Sequence, residues 1–177
     1  MDTAERLRTY VGLAESTRRW VAVMDTKAGF LSALNGALLT FMWIGARLAD
    51  VVAAVKWLAF GASLCSLMAL FAALWIIIPR QTTSAVMSRR TGLHGEIKPV
   101  SFYGYVATQY AGADFQKFEA VVTALDEGDF AREALEQHFI VSRIVEAKSG
   151  WVTISGRLTL ASAVLAGAAL LLKTLYA

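Results

Sequence analysis

One cysteine and two prolines are all that this chain of 177 residues holds of either type. The single cysteine, Cys65, forms no disulfide within the chain and belongs to no cysteine metal motif. The scarcity of proline removes the commonest helix breaker and leaves long unbroken helices open to the sequence. Charge is scarce as well: only 18% of residues are Asp, Glu, Lys or Arg, where a soluble domain carries about a quarter. The formal charge of +3 and the pI of about 9.2 suit anionic lipid or an anionic ligand, and are too mild to argue for nucleic acid. The first ten residues, MDTAERLRTY, hold no apolar run, so a cleaved signal peptide is not expected. No Walker pattern, GxGxxG or GxSxG occurs. His94 and His138 have no ligand spacing to each other or to a carboxylate pair. No arrangement of nucleophile and base is visible. The expectation is a protein that is not an enzyme and holds no metal or cofactor.

What the chain has is hydrophobicity, at 56% of residues and a mean hydropathy of +0.51. A bilayer core about 30 Å thick takes roughly 20 apolar residues in helix. Residues 28–46 qualify despite Asn35. Residues 57–78, WLAFGASLCSLMALFAALWIII, carry no charge before Pro79 and Arg80 stop them. Residues 158–172 are short alone, and reach span length if Arg157 and Lys173 snorkel and Trp151 and Tyr176 mark the interfaces. A soluble bundle would need polar faces that these segments lack. Three spans put the termini on opposite sides. Basic residues concentrate before the first span (Arg6, Arg8, Arg18, Arg19, Lys27) and between the second and third, from Arg80 to Arg157. The link 47–56 holds only Arg47 and Lys56. The positive-inside rule then expects the N-terminus and the central region in the cytoplasm and the C-terminus in the periplasm.

Residues 3–26 read as one helix running into the first span, with Leu7, Tyr10, Val11, Ala14, Val21 and Met24 on a rough stripe. Asp114 reads as the N-cap of a second helix with Phe115, Phe118, Val122 and Leu125 on one side. Gly128 reads as its end, and Asp129 as the cap of a third helix that continues without proline toward the last span. Between 79 and 113 the composition shifts to Gly, Ser and Thr, which reads as a long loop with a short helix near 101–111. The expected fold is an all-α integral membrane protein. It has three transmembrane helices and a small cytoplasmic helical bundle formed by the N-terminal helix and the two helices before the last span. The expected divisions are a cytoplasmic helix at 1–27, a transmembrane hairpin at 28–78, a cytoplasmic region at 79–150 and a third transmembrane helix at 151–177.

Several polar residues ask for a role. Arg80 and the Arg89–Arg90 pair read as inner-leaflet anchors, at about 1 kcal/mol each near anionic lipid. The sharper reading is a phosphate cradle over 89–98, reaching Lys98, in which Gly92 and Gly95 let backbone amides approach an anion. The aromatic run Phe102, Tyr103, Tyr105 and Tyr110 either packs in a core or offers a ring, such as Tyr103, to stack on a nucleobase. Asp25 and Lys27 stand at the doorway of the first span. Lys27 can snorkel, but an Asp on the anionic side is better placed with a cation. Lys148, just before the third span at comparable depth, is the candidate. Asn35 is an amide inside a span, where such groups face protein and bond across helices for roughly 0.6–2 kcal/mol. Small residues around Gly167 (Ala161, Ala163, Ala166, Ala168 and Ala169) allow spans to approach closely and point to a homo-oligomer.

Residues 20–36, WVAVMDTKAGFLSALNG, resemble the opening segment of the Pycsar effector transmembrane family. That segment has an Asp-x-Lys-Ala box, an apolar run and an internal Asn, matched here by Asp25, Lys27, Ala28 and Asn35. SFYGYVA, 101–107, resembles the family's aromatic-Gly-aromatic segment, with Tyr105 where His is common. FIVSRIVEAKSGWV, 139–152, resembles the Leu-Ser-x-Ile-x-x-x-Lys stretch before the last span, matched by Ser142, Ile144 and Lys148. The blocks follow in family order across most of the chain. The resemblance implies a bacterial antiphage effector of the inner membrane. Such an effector responds to cyclic CMP or cyclic UMP made by a partner cyclase and impairs the membrane, giving abortive infection. On that reading 79–150 is the sensor region, with Arg89, Arg90, Lys98 and Tyr103 as ligand-binding candidates. Asp25, Lys27, Asn35, Ser142 and Lys148 then have a coupling or structural role. The alternative left open is a constitutive membrane scaffold whose cytoplasmic bundle binds a protein partner.

Overall fold

A computed structural model describes residues 2–48, 51–78, 100, 106, 110 and 114–176 of the chain. Four α-helices carry most of these residues: α1, Thr3–Thr40; α2, Ala53–Ile77; α3, Phe115–Thr123; and α4, Glu127–Leu175. No strand occurs among the described residues. The all-α architecture expected from composition is the one the chain adopts. Three helical stretches, Thr3–Gly45, Ala53–Ile77 and Glu127–Leu175, are long and apolar enough to cross a membrane. Both α1 and α4 run without a break from their more polar first halves into apolar second halves, as the absence of proline allows. The third span is thus the second half of a 49-residue helix rather than a helix of its own.

Helix ends have local causes. α2 starts at Ala53, four residues ahead of the expected 57, because Ala53 and Ala54 are strong helix formers and Lys56 is tolerated at an exposed end. It stops at Ile77. Ile78 precedes proline in the sequence and takes the extended conformation (φ −60°, ψ 117°) that pre-proline sterics favour. Beyond Thr40, α1 widens into a π-helical turn, Phe41–Gly45, closed by the Ala46 amide donating to the Phe41 carbonyl at 2.7 Å. Gly45 fits there because a Cβ would stand 3.1 Å from the Phe41 ring. Arg47 then turns the chain with φ of 46°, the left-handed region that ends helices.

Asp114 caps α3 as expected, accepting from the Lys117 amide at 3.2 Å. The next junction differs from expectation. α3 ends at Thr123, and Gly128 lies inside the first turn of α4. The cap is reciprocal: the Asp129 amide donates to Asp126 Oδ1 at 2.7 Å, and the Asp126 amide donates to Asp129 Oδ2 at 3.3 Å. A glycine read as a terminator is instead an opening that lets the Asp126 carboxylate come close, 3.1 Å from where a Cβ would be. α3 buries no residue, and Phe115, expected on its inner stripe, is 66% exposed. The short helix expected near 101–111 falls for the most part outside the described residues.

The chain divides into two compact units, residues 1–20 with 79–144 and residues 21–78 with 145–177. Inward positions on α1 follow an alternating three-four spacing. Ala14, Thr17, Met24, Ala28, Asn35 and Met42 are buried, and Leu7, Tyr10, Val21, Leu31 and Leu38 half-buried. That spacing averages 3.5 and keeps one seam of a helix against its neighbour. Val11, one position off the seam, is exposed. α4 shows the same alternation, with one four-four step at Ile144–Lys148–Val152, where it passes from the first unit to the second.

The second unit is built with its polarity reversed. Its inward positions carry small and hydroxyl residues, among them Ala59, Ala62, Ala69, Ala73, Ala166 and Ala169, while Phe30, Trp57, Phe60, Phe71, Leu160 and Leu171 face outward. Water would penalise such a surface; lipid does not, and small inward residues let spans pack closely. With three spanning helices, this is the architecture of a multi-pass membrane protein.

Candidate functional site

The second unit holds a ladder of polar contacts between spans, made for the most part by residues on inward seams, with Asp25 and Trp43 one position off them. At one end Lys148 of α4 donates to Asp25 Oδ1 of α1 at 2.5 Å. Ten residues further along α1, the Asn35 amide is fully buried. Its Nδ2 donates to the Leu31 carbonyl at 2.8 Å and to Thr159 Oγ1 at 2.7 Å. Thr159 donates in turn to the Ser155 carbonyl at 2.9 Å, and the Ser155 hydroxyl crosses to the Ala69 carbonyl of α2 at 2.8 Å. One turn on, Ser162 donates to the Ala62 carbonyl at 2.7 Å, which leaves Ser66 as the donor in the 2.8 Å contact between the two hydroxyls. Trp43 Nε1 donates to Ser63 Oγ at 2.8 Å. At the other end Lys173 donates to the Ala46 carbonyl at 2.5 Å, satisfying a group that the end of α1 leaves without an intrahelical donor. α1 and α4 therefore run parallel in this unit, as an odd number of spans requires.

The ladder answers an energetic demand. A polar group inside an apolar bundle costs free energy unless it bonds, and here hydroxyls bond to carbonyls and to each other. Along the ladder Asn35 Oδ1 is left without a hydrogen-bond partner among the described residues. A slipped pairing would leave several such groups unmet, so the ladder specifies which residues face which.

The first unit has a smaller cross-helix pair. His138 Nδ1 of α4 lies 2.6 Å from Thr17 Oγ1 of α1, and Thr17 donates to the Leu13 carbonyl at 2.9 Å. With the hydroxyl proton on that carbonyl, the ring nitrogen is the donor. Next to it, Arg18 bonds to Gln137 Oε1.

The sequence candidates fall into four groups. Asp25 and Lys148 are in contact, and Asn35 bonds across helices. Ser142 turns its hydroxyl onto its own helix, donating to the His138 carbonyl at 2.7 Å, and Lys27 is exposed without an ion-pair partner among the described residues. Arg89, Arg90, Lys98 and Tyr103 lie outside the described residues. A Cβ at Gly167 meets nothing within 4 Å, whereas Ala166 and Ala169 of the same stretch are buried in the chain's own core. Only part of the small-residue stretch is thus left outside the chain's own core. Thr17, Ser66, Ser155, Thr159 and Ser162 are not among the sequence candidates, and His138 enters there only as a histidine without metal-ligand spacing. Ser155, Thr159 and Ser162 do stand at four-three spacing, and that spacing is the signal that could have found them.

Neither a curated protein nor a solved structure matches the chain. A family model does, from residue 10 to residue 173, and its description is the Pycsar effector protein domain. That match takes in the spans, the polar ladder and the whole region between them, and so this chain, a multi-pass membrane protein, belongs to the Pycsar effector family of antiphage defence proteins.

Proposed function

We propose that the protein senses a cyclic pyrimidine nucleotide, cyclic CMP or cyclic UMP, supplied by a partner cyclase, and responds by impairing the inner membrane in which it sits. The observation that carries this reading is the family match over residues 10–173, together with three candidate spans. The distribution of basic residues favours a cytoplasmic N-terminus and a periplasmic C-terminus. The region 79–150 is then the sensor, and Arg89, Arg90 and Lys98 supply cations for a cyclic phosphate while Tyr103 supplies a ring for the base. The ladder from Asp25 to Lys173 is the transducer. A ligand-driven change carried down α1 and α4 arrives at a set of contacts that hold one pairing of spans. Association of several copies through the open side of α4 completes the lesion.

Calorimetric titration of the detergent-solubilised protein with a panel of cyclic mono- and oligonucleotides tests the reading. Saturable binding of a cyclic pyrimidine mononucleotide is expected, with binding weakened by Arg89→Ala with Arg90→Ala. Folded protein that binds no cyclic nucleotide would favour a constitutive scaffold instead.

A further inference from the structure

On the surface of the second unit, α1 and α4 form a groove of about 420 Å³ lined by Thr26, Lys27, Phe30, Leu31, Val152 and Gly156. Apart from Lys27 its lining is nearly all carbon. Thr26 donates its hydroxyl proton to the Ala22 carbonyl at 2.9 Å, so the Lys27 ammonium is the side-chain donor left to a guest. The charges nearby are uneven. Lys148 is paired with Asp25 at 2.5 Å, and the pair sums to zero. Lys27, two residues from Asp25, is exposed and has no ion-pair partner among the described residues. Of the residues that line this apolar groove Lys27 alone is charged, and it stands on a helix long and apolar enough to cross a membrane.

The apolar wall extends inward from that cation. Lys27 to Leu31 and Val152 to Gly156 are each one helical turn, about 6 Å of axis. Phe30 beside them is 68% exposed, on a surface that faces lipid. Gly156 keeps the groove open. A Cβ there would meet nothing within 4 Å, so the packing of the chain itself does not call for glycine. A free phosphate or a soluble nucleotide would use the cation and leave the apolar wall bare. A lipid without net charge would cover the wall and leave the ammonium uncompensated. An anionic phospholipid satisfies both.

We infer that this groove is a binding site for one anionic phospholipid, with the headgroup phosphate on Lys27 and an acyl chain along Phe30, Leu31, Val152 and Gly156. The inference depends on the membrane placement of the second unit and not on nucleotide sensing. The full-length protein in detergent is titrated with palmitoyl-oleoyl phosphatidylglycerol and with the matching phosphatidylcholine, and bound lipid is read by native mass spectrometry. The wild type should hold phosphatidylglycerol about five-fold more tightly, the effect of one cation near anionic lipid. Lys27→Gln should erase that preference and Lys27→Arg keep it. Gly156→Leu, which fills the groove, should lower retention of phosphatidylglycerol. Gly29→Leu is the folding control, because Gly29 is equally open and lies outside the groove, and it should bind as the wild type does. Equal affinity of the wild type for the two lipids would overturn the inference. So would wild-type binding in either Lys27→Gln or Gly156→Leu, or a loss in Gly29→Leu as complete as in Gly156→Leu.

Discussion

Lys148 reaches from α4 to Asp25 on α1, Nζ to Oδ1 at 2.5 Å, with the lysine side chain 20% exposed and the aspartate 40%. This is neither a free surface pair nor a dry one. Exposed pairs contribute about 0–1 kcal/mol, whereas stranding one member of a buried pair costs about 3–5 kcal/mol. Asp25→Ala leaves the more buried partner alone, so it should cost an intermediate amount, roughly 1–3 kcal/mol, in unfolding measured in mixed micelles. On the proposed mechanism Asp25→Ala and Lys148→Ala each abolish ligand-triggered growth arrest while nucleotide affinity stays within a few fold. Asp25→Lys with Lys148→Asp should restore part of the response. Loss of nucleotide binding in Asp25→Ala as severe as in the Arg89→Ala, Arg90→Ala double variant would place the Asp-Lys box in the binding site itself.

Asn35 and Thr159 offer a cleaner measurement, since neither carries charge and both are buried. Asn35→Ala and Thr159→Val each break the 2.7 Å bond between them. Interhelical bonds of this kind contribute about 0.6 kcal/mol on average and up to about 1.7 kcal/mol. A double-mutant cycle on unfolding in mixed micelles should return a coupling energy in that range. Strictly additive single effects would mean that the bond contributes nothing to holding the spans together.

How far these contacts could be read from sequence depended on the kind of residue. Asp25 and Lys148 are charged at a span edge, so depth alone suggested the pair. Asn35 stands out among apolar neighbours, and a cross-helix bond was expected for it. Its partner was not, because Thr159 lies in LTLASAV and a threonine in a span is unremarkable until the facing helix is known. Ser66 and Ser162 were hidden for the same reason: each is meaningful only as half of a contact spanning nearly a hundred residues of chain. Gly128 misled because a glycine after a helix usually terminates it, whereas the Asp126–Asp129 cap set the boundary here. Phe115 departs from expectation because the apolar stripe of α3 is covered only in part, with Phe118, Val122 and Leu125 half-buried. The three spans themselves were plain, since long apolar runs without proline have few alternatives.

Topology gives a direct check on orientation. A reporter fused after Ala177 should behave as periplasmic, and one inserted between Arg90 and Thr91 as cytoplasmic. The basis is the contrast between basic residues before the first span and in the central region on one hand, and Arg47 and Lys56 alone in the link on the other. Reporters on the same side would mean that the last helix does not cross, and the three-span topology would fail.

Gly167 and Ala169 separate association from folding within one turn or so of α4. A Cβ at Gly167 meets no heavy atom within 4 Å, so a leucine there extends away from the chain's own packing. Ala169 is fully buried, in the cluster with Met42, Val55 and Ala59, and a leucine there must displace those neighbours. Overpacking of that kind costs typically about 1–3 kcal/mol. Ala169→Leu should therefore lower the unfolding midpoint of the protein in micelles, and any change in its assembly would follow from the damaged fold. Gly167→Leu should leave that midpoint unchanged. If subunits meet on this side of α4, close approach depends on the missing side chain, and the same variant should shift the protein to smaller species in cross-linking and size-exclusion measurements while weakening growth arrest. An unchanged midpoint with unchanged assembly and unchanged arrest would remove Gly167 from any interface and leave the subunits to meet elsewhere.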